Sequence, residues 1–252
     1  MKFWPYPKLF AHRGGGSLAP ENTLAGMKMA QHYLYAAVEF DVKLSADGIA
    51  MLMHDDTLPR TTNGTGAFKD KTTVELEKLD AGSWLRPQFA GEKIPRFSAV
   101  MHYLHSQGMN ANIEIKPCSG REVETGNLVA VLTEEMTREH VVKPILTSFS
   151  VAALRAARSA AQTLPMGLLV EKYLPEHDAV IDELNCCSLV CEYAGIKASM
   201  VRHLHSREIH LMAYTVNDAD LAAALFDLGV DGIFTDRLDV MAHRFPQALL
   251  GR

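Results

Sequence analysis

The chain has 252 residues, a common length for a single α/β barrel, and its 48% apolar and 22% charged residues are typical of a globular protein. A net charge of −5 argues against a dedicated nucleic-acid-binding protein, which usually carries a basic face. No apolar run approaches the ~18 residues of a membrane span, and two prolines among the first seven residues make the start of the chain a poor signal peptide.

Short strand-like runs alternate with longer helix-like runs along the chain. The predicted strands span residues 8–12, 36–44, 111–116, 143–149, 166–170, 188–193, 210–216 and 231–235. The predicted helices span residues 22–34, 97–108, 121–139, 150–161, 177–185, 197–207 and 217–228. Eight strands alternating with helices predict a parallel β/α architecture, and this length favours a closed (β/α)8 TIM barrel over an open sheet.

Residues 55–96 interrupt this alternation. The segment is rich in Thr, Gly, Asp and Pro and is too long for an ordinary βα loop. We therefore expect a small insertion after the second strand, over the barrel end that carries His12. Neither a linker nor an internal repeat divides the chain, so the sequence predicts one domain over residues 1–252.

The stretch FAHRGGG places His12 and Arg13 at the end of the first predicted strand. The glycines let the backbone turn away with little steric cost. A proton-transfer candidate beside a planar cation with five donors indicates chemistry on an anion.

Two strands carry alternating charged and apolar residues. In VEFDV, Glu39 and Asp41 share one face, and in NIEIKP, Glu114 and Lys116 do. If the apolar faces pack under the helices, three carboxylates point into the barrel. A salt-bridge cluster with Lys116 and Arg13 is one interpretation. The other is a site for Mg²⁺ or Ca²⁺, because hard ions prefer oxygen ligands.

A second histidine, His54, also follows an apolar run. Residues 48–54 are expected to pair with the preceding strand through the SADG turn. Alone, either His12 or His54 is more readily explained as structural. Their matching places at strand ends, beside the expected metal site, favour a role in catalysis.

The cysteines cluster in the chain: Cys186, Cys187 and Cys191 lie in CCSLVC, and Cys118 lies apart. A disulfide or a zinc site there is the weaker alternative. Buried, reduced thiols in a cytoplasmic protein are the better interpretation.

Several motifs together resemble one family. AHRGG…PENTL, VEFDVKLSADGIAMLMHDDTLPRTTNGTG, IEIKP, AYTVND and GVDGIFTDRLD are similar, in this order, to the motifs of the glycerophosphodiester phosphodiesterases, and the short cytosolic bacterial branch is nearest in length. The resemblance runs from residue 10 to about residue 240. It implies a TIM barrel with a small insertion, and hydrolysis of a small-molecule glycerophosphodiester to glycerol 3-phosphate and an alcohol such as choline or ethanolamine.

The resemblance also implies residue roles. His12 and His54 match the acid/base pair of the family. Arg13 matches its phosphate-binding arginine, and Lys116 matches the lysine near the phosphate. The metal ligands of the family match Glu39, Asp41 and Glu114. Which histidine is the base stays open, as does whether water or a glycerol hydroxyl of the substrate is the nucleophile.

Two further matches carry alternatives. Glu21 and Asn22 belong to the PENT signature, but they are also explained as a helix cap and a brace for the HRG turn. Tyr214 stands where the family often has Trp, which makes it a candidate substrate contact with consequences for substrate preference, or else a packing residue. Strand alternation predicts that Tyr214 shares a face with Val216.

Two other functions fit the motifs less well. A lysophospholipase D-like activity needs an apolar path into the site, for which the insertion offers Phe68, Trp84 and Phe89. A catalytically silent barrel that only binds a phosphorylated ligand has no need of both histidines and all three carboxylates.

Overall fold

The computed structural model describes residues 3–251, whose strands form one closed sheet. The strands are β1 (Leu9–Ala11), β2 (Ala37–Leu44), β3 (Ala50–Leu52), β4 (Asn110–Ile115), β5 (Ile145–Ser148), β6 (Met166–Val170), β7 (Ser188–Glu192), β8 (His210–Tyr214) and β9 (Gly232–Thr235). Their order is β1-β9-β8-β7-β6-β5-β4-β2-β3, and a parallel pairing of β1 with β2 closes the barrel. Every strand pairing is parallel except that of β2 with β3, which confirms the predicted TIM barrel.

Helices surround this barrel between the strands. They are α1 (Leu24–His32), α2 (Thr73–Leu76), α3 (Phe97–Ser106), α4 (Glu122–Met136), α5 (Val151–Ala160), α6 (His177–Glu183), α7 (Ala198–Ser206), α8 (Ala219–Leu228) and α9 (Leu238–Arg244). Each predicted helix contains an observed one. Helices α2 and α9 were not predicted: the four residues of α2 are too few to show a helical period, and α9 follows the last predicted strand.

The alternation in β2 separates the core from the barrel interior. Val38, Phe40 and Val42 are buried in the main hydrophobic core together with residues of the helices. Glu39 and Asp41 occupy the opposite face and point inward, as predicted. No helix among residues 3–251 is long and apolar enough to cross a membrane.

The segment between β3 and α3 has a small apolar cluster of its own. Phe68, Leu76 and Ile94 are buried there with Met51 of β3. Asp80 fastens the segment by accepting hydrogen bonds from the backbone N–H groups of residues 82, 83 and 91, each at 2.8 Å. The segment therefore provides a defined base for the residues it contributes near the barrel end.

Candidate active site

The predicted site residues meet at one end of the barrel. A cavity of about 540 Å³ opens where the parallel strands reach their carboxyl ends. Its lining includes His12, Arg13, Glu39, His54, Glu114, Lys116 and Tyr214. Asp41, the remaining predicted residue, lies behind this surface and is only 1% exposed.

Register between two neighbouring strands brings the three carboxylates together. Asp41 of β2 pairs directly with Glu114 of β4, and Glu39 lies two residues before Asp41 on the same face. All three residues are buried, and each offers an oxygen atom within 4.8 Å of the others. The donor set consists of oxygen only, which suits a hard divalent cation.

The three carboxylates differ in how closely positively charged side chains approach them. Asp41 lies 3.2 Å from the Lys116 ammonium and 3.7 Å from the Arg13 guanidinium. Although burial favours the neutral acid, these cations hold the pKa of Asp41 well below its usual range. Burial, together with the nearby charge of Asp41, raises the pKa values of Glu39 and Glu114. Glu39 and Glu114 therefore resist ionisation as they stand, and a bound cation would favour their charged forms.

Arg13 is fixed by its backbone as well as its side chain. Its φ of +49° is unusual for a residue with a side chain. The Arg13 N–H donates to Glu39 Oε2 at 2.8 Å, and its Nη1 donates to Glu21 Oε1 at 2.9 Å. Gly16 completes the turn at a φ of +53°, and a Cβ atom there would lie 2.4 Å from the carbonyl oxygen of Asp236. The HRG turn thus has little freedom to move.

Glu21 and Asn22 of the PENT signature brace the site, and neither of them caps the first helix. Thr23 caps α1, accepting a hydrogen bond from the Gly26 N–H at 3.1 Å. Asn22 Nδ2 donates to Asp41 Oδ2 at 2.8 Å, while Asn22 Oδ1 accepts from the Asp41 N–H at 3.0 Å. The prediction of a brace is confirmed. The alternative that Glu21 and Asn22 cap the helix is wrong because the cap lies one residue later.

Each candidate histidine is held at Nδ1 by a carboxylate. His12 Nδ1 lies 2.7 Å from Asp236 Oδ1, and His54 Nδ1 lies 2.7 Å from Asp55 Oδ1. Burial lowers the pKa of His54. Burial acts the same way on His12, but the hydrogen bond to Asp236 and the charge of Glu39 outweigh it and raise the pKa of His12. His12 Nε2 lies 3.8 Å from Glu39 Oε2, and within residues 3–251 neither Nε2 makes a hydrogen bond.

Sequence reasoning missed both carboxylates that hold the histidines. A signal for Asp236 was present, because a closed barrel makes its first and last strands neighbours. Ala11 pairs with Thr235, which places the following residues, His12 and Asp236, side by side. For Asp55, the signal was its position directly after His54.

Arg60, also missed, connects the two halves of the site. Its Nε donates to Asp55 Oδ2 at 2.6 Å, and its Nη1 donates to Glu21 Oε2 at 2.8 Å. Because Asp55 holds His54 and Glu21 holds Arg13, one guanidinium ties the orientation of a histidine to that of the cavity arginine. The contact with Glu21 joins residues far apart in the chain, and no local sequence pattern predicts it.

Tyr214 closes another side of the cavity. Its hydroxyl donates to the Val170 carbonyl at 3.1 Å, and its ring packs edge to face on Phe149 with centroids 6.1 Å apart. Thr215 also lines the cavity, whereas Val216 is buried in the main core. The prediction that Tyr214 and Val216 share a face is wrong, because β8 ends at Tyr214 and strand alternation does not continue.

The apolar path suggested for a lipid substrate is not observed. Phe68 is fully buried in the cluster of its own segment. Within residues 3–251, neither Phe68, Trp84 nor Phe89 lines the cavity.

Comparisons with known proteins agree with this geometry. A glycerophosphodiester phosphodiesterase of Caldanaerobacter subterraneus subsp. tengcongensis is 35% identical over 231 residues, covering 90% of this chain and 93% of its own. One from Bacillus subtilis is 32% identical over 247 residues, covering 91% and 83%. The structure of an Oleispira antarctica phosphodiesterase in complex with the product sn-glycerol-3-phosphate superposes with a TM-score of 0.90 at 32% identity, over 96% of this chain and 97% of that one.

The family model described as the glycerophosphoryl diester phosphodiesterase family matches residues 12–240. That span begins at the histidine held by Asp236 and includes every site residue described above. With the closed barrel and its acidic cavity, these matches lead to one conclusion: the chain belongs to the glycerophosphoryl diester phosphodiesterase family and is an enzyme of that class.

Proposed function

We propose that the chain hydrolyses glycerophosphodiesters to glycerol 3-phosphate and an alcohol with the help of a divalent cation and two histidines. The observation that carries the proposal is the buried group of three carboxylates, of which Glu39 and Glu114 line the same cavity as His12 and His54. A phosphodiester is an anion, and it needs positive charge at this place to bind.

The carboxylates fit a cation by their chemistry and their electrostatics. Glu39, Asp41 and Glu114 would hold Mg²⁺ or Ca²⁺, since their clustered oxygens suit a hard cation and a cation would stabilise the ionised forms that burial disfavours. When bound, the cation supplies positive charge to the non-bridging oxygens of the phosphate.

Arg13 and Lys116 bind the same phosphate from the protein side. Both line the cavity and are only partly exposed, which strengthens their interaction with an anion. Lys116 Nζ lies 2.9 Å from Glu114 Oε1 and 3.2 Å from Asp41 Oδ1, so it stays close to the carboxylates. Such fixed donors stabilise charge that develops during attack on phosphorus.

The histidines move the protons. One Nε2 takes the proton of the nucleophile, which is water or a glycerol hydroxyl of the substrate, and the other protonates the oxygen of the leaving alcohol. Asp236 and Asp55 keep the two rings oriented through Nδ1. Tyr214 contributes a ring surface to the alcohol side of the cavity.

Residues 1–252 would form one catalytic domain, with an insertion at about residues 55–96. The enzyme is proposed to act in the cytoplasm on a small-molecule substrate. The product bound to the Oleispira antarctica enzyme supports the choice of substrate class.

Turnover of glycerophosphocholine with and without a chelator tests the function. We expect glycerol 3-phosphate to form only when Mg²⁺ or Ca²⁺ is present, and Glu114→Ala to lose this activity while keeping the fold by circular dichroism. Full activity of Glu114→Ala in chelator would show that the metal site is misplaced.

Removal of either histidine tests the proton transfers. We expect His12→Ala and His54→Ala each to lower kcat on the order of 10²-fold, with a double variant little worse than the single ones if both act in one step. The exposed His102→Ala is the matched control. Loss of the acid should harm a poor alcohol leaving group more than an activated one. Equal loss on both substrates for both variants would remove the acid role from the pair.

Arg60 tests the link between the two halves of the site. Arg60→Lys keeps the charge but cannot bond to both Asp55 and Glu21 in the same way, so we expect kcat to fall on the order of 10-fold through misplaced groups. The Arg60 side chain is 45% exposed, so the melting temperature should change little. Arg86→Lys, at an exposed position in the same segment, is the control. Wild-type kcat in Arg60→Lys would contradict the link.

A further inference from the structure

The part of the cavity that begins at the Phe149 ring, 5.8 Å from the Lys116 ammonium, has a different chemistry from the carboxylate end. Phe149, Glu171, Glu192, Tyr193 and Tyr214 line it, at or just after the ends of β5, β6, β7 and β8. We call Glu171 and Glu192 the acidic rim, and the three rings the aromatic wall. Neither set takes part in the reaction described above, apart from the ring of Tyr214.

The acidic rim is exposed and unpaired. Within residues 3–251, neither the Glu171 nor the Glu192 side chain has a hydrogen bond or ion pair, although Lys116 and Arg13 line the same cavity. A backbone hydrogen bond of 3.3 Å from the Glu192 N–H to the Glu171 carbonyl holds the two residues side by side. Both rim charges act on Tyr214, where burial is the main cause of a raised phenol pKa and the rim carboxylates add to it.

The floor of the cavity also lacks a partner. Asn112 is 2% exposed, and its Nδ2 donates to Thr147 Oγ1 at 2.8 Å. Its Oδ1 is buried without a hydrogen bond, although the residue lines the cavity. A buried acceptor of this kind is costly unless a donor reaches it.

The two ends of the cavity therefore attract groups of opposite charge. Arg13, Lys116 and a bound cation would make the end near the carboxylate group attractive to a phosphate. The opposite end combines the negative charge of Glu171 and Glu192 with ring surfaces, and an ammonium group is attracted to both. A zwitterionic diester has a negative phosphate and a positive ammonium group, which match these two ends.

We propose that the acidic rim and the aromatic wall form a subsite for a positively charged alcohol group, so that diesters of amino alcohols are preferred over diesters of neutral alcohols. This inference rests on the proposed hydrolysis of glycerophosphodiesters. It adds Glu171 and Glu192 as specificity-determining residues, which bind the ammonium group of the substrate and take no part in proton transfer.

A substrate panel on charge-neutralised variants tests the subsite. The panel compares glycerophosphocholine and glycerophosphoethanolamine with glycerophosphoglycerol, whose alcohol is neutral. The measured quantity is the kcat/KM for a substrate with a cationic alcohol divided by the kcat/KM for glycerophosphoglycerol. In the Glu171→Gln/Glu192→Gln double variant this ratio should fall about 5-fold, the size of effect that two exposed charge pairs produce. Glu176→Gln removes the same charge from an exposed position outside the cavity and should leave the ratio unchanged.

Inhibition by choline gives a second readout, which does not depend on comparing different diester substrates. Choline should compete with substrate in the wild type, and its inhibition constant should rise about 5-fold in the double variant. A ratio that stays within about twofold of wild type, with an unchanged inhibition constant, would overturn the subsite alone. If the wild type hydrolyses none of the three substrates, the proposed function fails, and the subsite fails with it.

Discussion

The site depends on the burial of three carboxylates at one point of the barrel. Like charges held this close in a medium of low polarity repel each other, and they need compensation. The positive charges of Lys116 and Arg13 compensate Asp41 and lower its pKa. For Glu39 and Glu114 burial is the larger influence, and it raises their pKa values. A divalent cation would favour the ionised forms of both residues, and through that cation the cavity would attract a phosphate.

The closed barrel is what lets distant parts of the sequence supply this site. The register of β2 against β4 sets Asp41 beside Glu114, and the register of β1 against β9 sets His12 beside Asp236. The segment between β3 and α3 then adds Arg60, whose guanidinium bonds to Asp55 and to Glu21. Each group that would touch the phosphate is thus oriented by a neighbour from another element.

Much of this arrangement follows from local sequence patterns. Period-two alternation placed Glu39, Asp41 and Glu114 inside the barrel, because the apolar residues between them must pack under the helices. The same reasoning failed for Val216, since alternation stops where the strand ends. Contacts that join separate segments, such as that of Arg60 with Glu21, depend on tertiary geometry and leave no periodic signal in the sequence.

Calorimetric titration of the chelator-treated protein with Mg²⁺, Ca²⁺ and Mn²⁺ tests the account most directly. We predict one saturable site per chain, a higher melting temperature at saturation, and loss of both in Glu114→Gln but not in Glu176→Gln, because only the former changes the carboxylate group. Glycerophosphodiester hydrolysis by a wild-type protein that shows no saturable binding of any of these ions would contradict it.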